Sequence, residues 1–543
     1  MRSQITPTYI KYGFMIAILV LTLCACTILT GAPWNTPTPA APVQSAATPD
    51  GASWNTPTPA APVQATATPV APLPPAVDTP VELMPELPTA VNPFASPTPD
   101  APHNLPEIRT EPVEYTVQGG DTMGKIAQNF DVTIAEIVKE NGVNPAAMQV
   151  GQKLTIPVHP PSPSGPAFKI IPDSEAVYSP GSVDFDVGRF IADQNGYLAD
   201  YAEWVEDQKL TSSQIVQRVA EEYSANPRLL LAVLEYQSGW VTQPIPDTKT
   251  LQYPVGFEKA GWKGLYYQLS WAADTLNRGY YLWRVNGENT WRLADETIIP
   301  ISPAINAGTA AVQQMFALIK GQAEWEEAVS ENGVYATYNT LFGFPFSRAV
   351  EPLIPAGLTQ PILQLPFEIG EVWNFTGGPH TAWGENSPWA ALDFAPPGNQ
   401  VGCVTSNAWV AAMGDGPVVR AELGQVIQDI DINGAPADGL EQTGWVVFYM
   451  HIETRDRVEP GAYLYAGDRI GHPSCEGGHT TGTHTHVARR YNGEWISADR
   501  DLPFVMDGWV SSGASSEYDG TLSKDGITIV AYEGRDETSK IQR

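Results

Sequence analysis

Six of the eight histidines in this 543-residue chain fall between positions 380 and 486. Histidines scattered over a surface would not gather in this way. Three segments hold the residues of interest. The first runs Gly377-Gly378-Pro379-His380 and continues after a short gap as Ser387-Pro388-Trp389-Ala390-Ala391-Leu392-Asp393-Phe394. The second is Trp445-Val446-Val447-Phe448-Tyr449-Met450-His451-Ile452, and the third Gly482-Thr483-His484-Thr485-His486-Val487. Residues i and i+2 of a strand face the same side, so His484 and His486 project into one space. A histidine pair on one strand with a distant histidine and aspartate meets the needs of a catalytic zinc ion, which takes three protein ligands and keeps a fourth position for water. Zinc lowers the pKa of that water towards neutrality and polarises a scissile carbonyl. Histidines not spent on the metal can move protons or stabilise a developing oxyanion.

The elements that must position these residues are short apolar strands punctuated by Gly and Pro, which predicts a β-rich domain. The motifs closely resemble the peptidase family of lysostaphin, and most of all its β-lytic metalloendopeptidase and staphylolysin branch. The likeness covers about residues 361–530 and includes Pro473-Ser474-Cys475-Glu476-Gly477-Gly478 and Arg490-Tyr491-Asn492-Gly493-Glu494-Trp495. The resemblance implies a mainly β domain with an antiparallel sheet and one zinc ion held by His380, Asp393 and His486. It implies that His451 and His484 are the two catalytic histidines, and that Tyr518, in Tyr518-Asp519-Gly520, matches a transition-state tyrosine of the branch. His479 departs from the family pattern and reads as a spectator, a substrate contact or a competing ligand. His472 is expected to pack in a turn, and residues 531–543 to form a tail.

The chain has four cysteines, in two pairs. Arg2 and Lys11 precede an apolar run over residues 13–23, too short to span a bilayer comfortably and suited to the core of a signal peptide. The run ends in Leu23-Cys24-Ala25-Cys26, which resembles the lipobox of bacterial lipoproteins. That likeness implies cleavage before Cys26 and acylation of its sulfur, which would anchor the chain to a lipid bilayer. The alternative is plain secretion with cleavage elsewhere. Either route takes the chain to the cell membrane, the wall or the extracellular space, outside the cytoplasm. In that oxidising setting Cys403 and Cys475 are expected to form a disulfide, with a reduced pair as the alternative.

Between the signal segment (1–26) and residue 112 the chain is dominated by Pro, Thr and Ala. Its residues 31–50 recur almost unchanged as 51–70. Such composition cannot bury enough apolar surface to offset the entropy of ordering. Residues 27–112 therefore read as a disordered tether, and at about 3.1 Å per residue its roughly 85 residues reach some 260 Å when extended.

Residues 113–158 predict a small βααβ unit. A strand at Tyr115-Thr116-Val117 leads to Thr122, which can cap a helix carrying Ile126, Ala127 and Phe130. A second helix carries Ile134, Ile137 and Val138, and Lys153-Leu154-Thr155-Ile156 returns as a strand. The pattern closely resembles the LysM domain, which implies binding of N-acetylglucosamine-containing glycans such as peptidoglycan strands.

Residues 171–358 predict a mainly helical domain. Asn226-Pro227 opens a helix through Leu229-Leu230-Leu231, and Pro227 suits a first turn. With Ile305-Asn306-Ala307-Gly308 and Tyr335-Ala336-Thr337-Tyr338-Asn339 downstream, the order distantly resembles the lysozyme-like fold of lytic transglycosylases. That family places its catalytic glutamate where this chain has Gln237, before Ser238. An amide cannot act as the general acid of glycosidic cleavage. Glu235 lies about 200° away around the helix and should point elsewhere. A degenerate, non-catalytic domain is therefore expected, either one that still holds a glycan or a plain helical spacer. The stretch before residue 361 could also act as an inhibitory pro-region.

The chain carries 30 Lys plus Arg against 60 Asp plus Glu, a net charge of −30, and lacks the basic footprint of a nucleic-acid binder. Three functions remain. A lipid-anchored or secreted zinc endopeptidase would cut glycine-containing peptide stems or cross-bridges of bacterial peptidoglycan. A non-enzymatic wall scaffold or regulator is opposed by the complete ligand and histidine set. A glycan-cleaving enzyme is opposed by Gln237.

Overall fold

The computed structural model describes residues 109, 111–130, 132–158, 164–398, 401–430 and 437–543. The expected signal segment and Cys26 lie outside the described residues, as does the tether apart from residues 109, 111 and 112.

The N-terminal unit has the expected order: β1 (Val113–Thr116), α1 (Met123–Asn129), α2 (Ile134–Asn141) and β2 (Lys153–Ile156). The two strands pair antiparallel, with Tyr115 opposite Leu154. Thr133 and Glu136 close a capping box at the start of α2, and Gly142 ends that helix in the left-handed region. Ile126, Ala127, Ile137, Leu154 and Ile156 make its core, whereas Ile134 is exposed. Arg292, from the next region, donates to the carbonyls of Val132 (2.8 Å) and Ala127 (3.4 Å).

The middle region is mainly helical, with α3 (Val187–Gln194), α4 (Ser212–Tyr223), α5 (Pro227–Ser238), α6 (Leu265–Arg284), α7 (Ala307–Ala317), α8 (Gln322–Ala328) and α9 (Val334–Phe342). It also holds two hairpins, β3 (Ala202–Val205) with β4 (Gln208–Thr211) and β5 (Thr290–Arg292) with β6 (Ile298–Pro300). A Thr211–Gln214 capping box starts α4. Asn226 caps α5, Pro227 fills its first turn and Gly239 ends it. Glu235 and Gln237 diverge as the helix geometry requires. Glu235 accepts from the backbone N–H groups of Val241 and Thr242, while the Gln237 amide donates to the Val255 carbonyl at 2.6 Å.

The C-terminal region is built on an antiparallel sheet. Its strands are β7 (Val372–Thr381), β8 (Trp389–Ala395), β9 (Val410–Ala411), β10 (Gly416–Glu422), β11 (Gln425–Asp429), β12 (Trp445–Met450), β13 (Tyr463–Leu464), β14 (Arg469–Gly471), β15 (Thr485–Tyr491), β16 (Glu494–Trp495), β17 (Val505–Met506), β18 (Trp509–Gly513), β19 (Gly520–Lys524), β20 (Ile527–Val530) and β21 (Lys540–Gln542). The main sheet runs β13-β10-β11-β12-β15-β8-β7-β21, with β16 beside β15, and β17 to β20 form a second sheet. Residues 531–543 are not a tail. Their strand β21 pairs with β7, Ile541 opposite Trp373, and Ile541 is buried. Lys540-Ile541-Gln542 is too short for its alternation to stand out as a strand in the sequence.

Both faces of the main sheet are covered. Along β12, Trp445, Val447 and Tyr449 enter the core of the C-terminal region, while Val446, Phe448 and Met450 enter the core of the helical region. Ile427, Ala488 and Trp495 follow the second group. A strand buried on both faces reads as a continuous apolar run rather than an alternating one, which accounts for Trp445-Val446-Val447-Phe448-Tyr449-Met450. Polar contacts close the seam. Trp495 N–H donates to the Tyr281 hydroxyl at 2.9 Å, Ser224 Oγ to the Gly493 carbonyl at 2.6 Å, and Arg284 pairs with Glu494 at 3.0 Å. Gly493 lies so close to the Tyr178 carbonyl that a Cβ would collide with it. Fully buried Arg490 bonds to Ser224 and Glu441.

Cys403 and Cys475 are joined by a disulfide across 72 residues of sequence. Closing a loop of that length should stabilise the fold by roughly 4 kcal/mol in the chain-entropy view. The double variant Cys403→Ala/Cys475→Ala is therefore expected to unfold at a lower urea midpoint than the parent. Equal midpoints with and without reductant would contradict it.

Candidate metal centre

Three strands bring the expected ligands together. His486 on β15 stands directly opposite Asp393 on β8, and His380 on β7 opposite Ala391. A register shift in β7 between Gly377 and His380 turns the histidine towards its partners. The two glycines before it are required by close approach. A Cβ on Gly377 would lie 2.7 Å from Asp393 Oδ2, and one on Gly378 2.7 Å from the backbone of Asp519 and Gly520.

His380 Nε2 lies 3.1 Å from His486 Nδ1 and 3.3 Å from Asp393 Oδ1, and His486 Nδ1 lies 3.2 Å from the same oxygen. All three residues are buried. Each histidine spends its other nitrogen on the backbone: His380 Nδ1–H donates to the Gly378 carbonyl and His486 Nε2–H to the Ala382 carbonyl. Those bonds fix both tautomers and aim a lone pair at the shared space. Asp393 Oδ1 is buried without a hydrogen-bond partner. Tetrahedral zinc with bonds of about 2.0–2.2 Å spaces its ligands by roughly 3.3–3.6 Å, close to the separations here. Two histidine lone pairs converging on an unsatisfied carboxylate oxygen fit a divalent cation of that kind. Burial opposes ionisation of Asp393, but the positive charge that His380 and His484 carry when protonated outweighs it and holds the carboxyl well below its usual range.

His451 and His484 join this group, with ring centres 4.5 Å apart. His451 follows β12 in the left-handed region at φ +63°, an uncommon conformation for a residue with a side chain. Its Nδ1–H donates to the Glu476 carbonyl, which leaves Nε2 free. Burial, followed by His484 and His486 beside it, pushes its pKa down to about 3, so the ring is neutral. His484 Nδ1–H donates to the Gly482 carbonyl, and its Nε2 lies 3.6 Å from Asp393 Oδ1. Tyr518 stacks on His380 with ring centres 4.2 Å apart and is half exposed. Burial first, then Asp393, pushes its phenol up to about 12.

These residues line a groove of about 1040 Å³. His479 lines it too, outside the ligand trio. His472 lies elsewhere, its ring tilted against Trp409 with centres 3.9 Å apart and its Nδ1–H donated to the Ala408 carbonyl. Sequence reasoning missed Glu517, Glu533 and Arg535 in the lining, and Tyr223, which comes from the helical region. The apolar run of β12 was the available signal that another part of the chain covers this face.

Two family models match the chain: "LysM domain" over residues 115–157 and "LasA, N-terminal domain" over residues 169–354. Protease LasA of Pseudomonas aeruginosa is 27% identical over 325 residues, which is 56% of this chain and 71% of that protein. The β-lytic metalloendopeptidase of Achromobacter lyticus is 26% identical over 171 residues, 30% of this chain and 41% of that protein. The solved structure of the M23 metalloprotease pseudoalterin, from the deep sea, is 22% identical and covers 35% of this chain and all of its own, with a TM-score of 0.27. The chain thus carries a LysM domain and has LasA-like, lysostaphin-type metallopeptidases as relatives, with homologues in the β-lytic branch.

Proposed function

We propose that this protein is an extracytoplasmic zinc metalloendopeptidase that hydrolyses peptide bonds in bacterial peptidoglycan, directed to its substrate by the LysM domain. The observation that carries this reading is the convergence of His380 Nε2, His486 Nδ1 and the unsatisfied Asp393 Oδ1, with two further histidines beside them. The names of the relatives, a protease and a metalloendopeptidase, support the same chemistry.

His380, Asp393 and His486 would hold the ion. When bound, zinc supplies Lewis acidity and a water of lowered pKa. Neutral His451 can accept a proton at Nε2 and pass it on to a leaving amine. The Tyr518 hydroxyl borders the same space and would donate to a developing oxyanion; His484 Nε2 would do so only after taking up a proton, because its Nδ1–H is spent on the Gly482 carbonyl.

Glycine-containing stems or cross-bridges are the proposed target, and acylated Cys26 the proposed anchor, with plain secretion as the alternative. The lysozyme-like reading of the helical region is kept only in its non-catalytic form. Gln237 uses its amide to hold the Val255 carbonyl, and Gln237→Glu would set a carboxylate against that oxygen. The variant should therefore release no anhydro-sugars or new reducing ends from peptidoglycan; release would revive the glycosidase reading.

The test is incubation of the full chain with purified peptidoglycan and with pentaglycine, with and without a zinc chelator. New amino termini that vanish with chelator are expected. No release from either substrate would turn the reading to a wall-binding scaffold.

A further inference from the structure

Metal ligands His380 and His486 face a short loop, residues 382–388, that joins β7 to β8. Its Ala382 carbonyl accepts from His486 Nε2–H at 3.0 Å. Its Trp383, Gly384 and Glu385 line the groove. The loop has few bonds of its own, chiefly Trp383 N–H to Ser387 Oγ and Ala382 N–H to the Pro388 carbonyl.

The remaining restraint comes from the helical region. Asp274, midway along α6, accepts from the backbone N–H groups of Glu385 (3.0 Å) and Asn386 (3.1 Å) through Oδ1, and from the Asn386 side-chain amide through Oδ2. Gly384 turns at φ +68° directly against Asp274 and Tyr223, and any side chain there would strike both. Trp383 meets the edges of Tyr223 and of Phe448, each at 6.2 Å between ring centres. One carboxylate thus collects three donors from a loop more than a hundred residues away.

We infer that Asp274 is a positioning residue of the metal centre: by fixing loop 382–388 it holds the Ala382 carbonyl on His486 and sets one wall of the groove, so the helical region is a working part of the site. The inference rests on the metal-centre reading above. Partners that orient a ligand histidine change metal affinity by about 10–100-fold when lost, and Asp274 acts one step further out.

The test compares Asp274→Ala with Asp274→Asn in the full chain, since the asparagine keeps an oxygen for the two backbone donors. Zinc affinity is read by competition with a chromogenic chelator, KM and kcat on peptidoglycan, and hydrogen exchange in peptides covering 382–388. Asp274→Ala is expected to bind zinc about tenfold more weakly, to raise KM and to exchange faster in the loop, with Asp274→Asn close to the parent. Unchanged zinc affinity and exchange in Asp274→Ala would overturn the inference, even if its melting temperature fell. A gain of activity would overturn it too, because it would make the helical region an inhibitor. Zinc affinity and exchange are readable without turnover, so a parent that cleaves nothing would defeat the proposed function and leave this inference separately decided.

Discussion

His486→Ala should leave the protein without stoichiometric zinc and lower peptidoglycan cleavage by roughly three orders of magnitude, the scale on which loss of a principal transition-state stabiliser is felt. The residue stands at the centre of the trio, with Nδ1 3.1 Å from His380 Nε2 and 3.2 Å from Asp393 Oδ1. Removing it leaves two ligands, below the three that catalytic zinc sites use. Loss of the ion would leave the buried Asp393 carboxylate without its counter-charge, and a buried charge without compensation is strongly destabilising. The zinc-loaded parent should therefore show a large chelator-induced fall in melting temperature that the variant lacks. His472→Ala is the control, because that ring packs on Trp409 outside the groove. Metal analysis that found one zinc per chain in His486→Ala would show the ligand set to be wrong.

Residues 358–543 produced alone should be markedly less stable than the full chain and should self-associate. The separation uncovers Ile427, Val446, Phe448, Ala488 and Trp495, all buried against the helical region. Each large apolar side chain returned to water costs about 1.5–3 kcal/mol. It also strips Glu494 of Arg284 and Arg490 of Ser224. A net loss of several kcal/mol in a segment of this size lowers the melting temperature by about 10 °C or more. Calorimetry and size-exclusion chromatography would register both effects. A monomer that melts with the full chain would mean that the sheet repacks over its exposed face, and would return the helical region to the role of a removable pro-region.

The convergence of His380, Asp393 and His486 was legible in the sequence through the family resemblance, and because metal chemistry limits residue types so severely. Even the i, i+2 spacing of His484 and His486 carries geometric meaning. The LysM unit was legible for a different reason: its strand–helix–helix–strand order resembles a known domain, and Thr122 is a local cap beside the helix it starts. What the sequence hid was long-range. Nothing near Asp274 hints at Glu385 and Asn386, since the pairing depends on how α6 lies across the sheet. Strand β21 was hidden by its brevity, and it earns its place only by pairing with β7. The sharing of one sheet between two cores did leave a trace, in β12, but a fully apolar hexapeptide reads equally well as the interior of a single domain.

Gly377 and Gly378 perform no chemistry, yet neither position leaves room for a methyl group beside Asp393 and the Asp519–Gly520 backbone. Saturation mutagenesis scored by wall lysis would therefore rank both alongside His380 in intolerance. A genetic map of this region would outline an essential patch larger than the set of metal ligands. Its extra members would be recognisable by a simple test: the ligands lose activity by losing an atom, and the two glycines by gaining one.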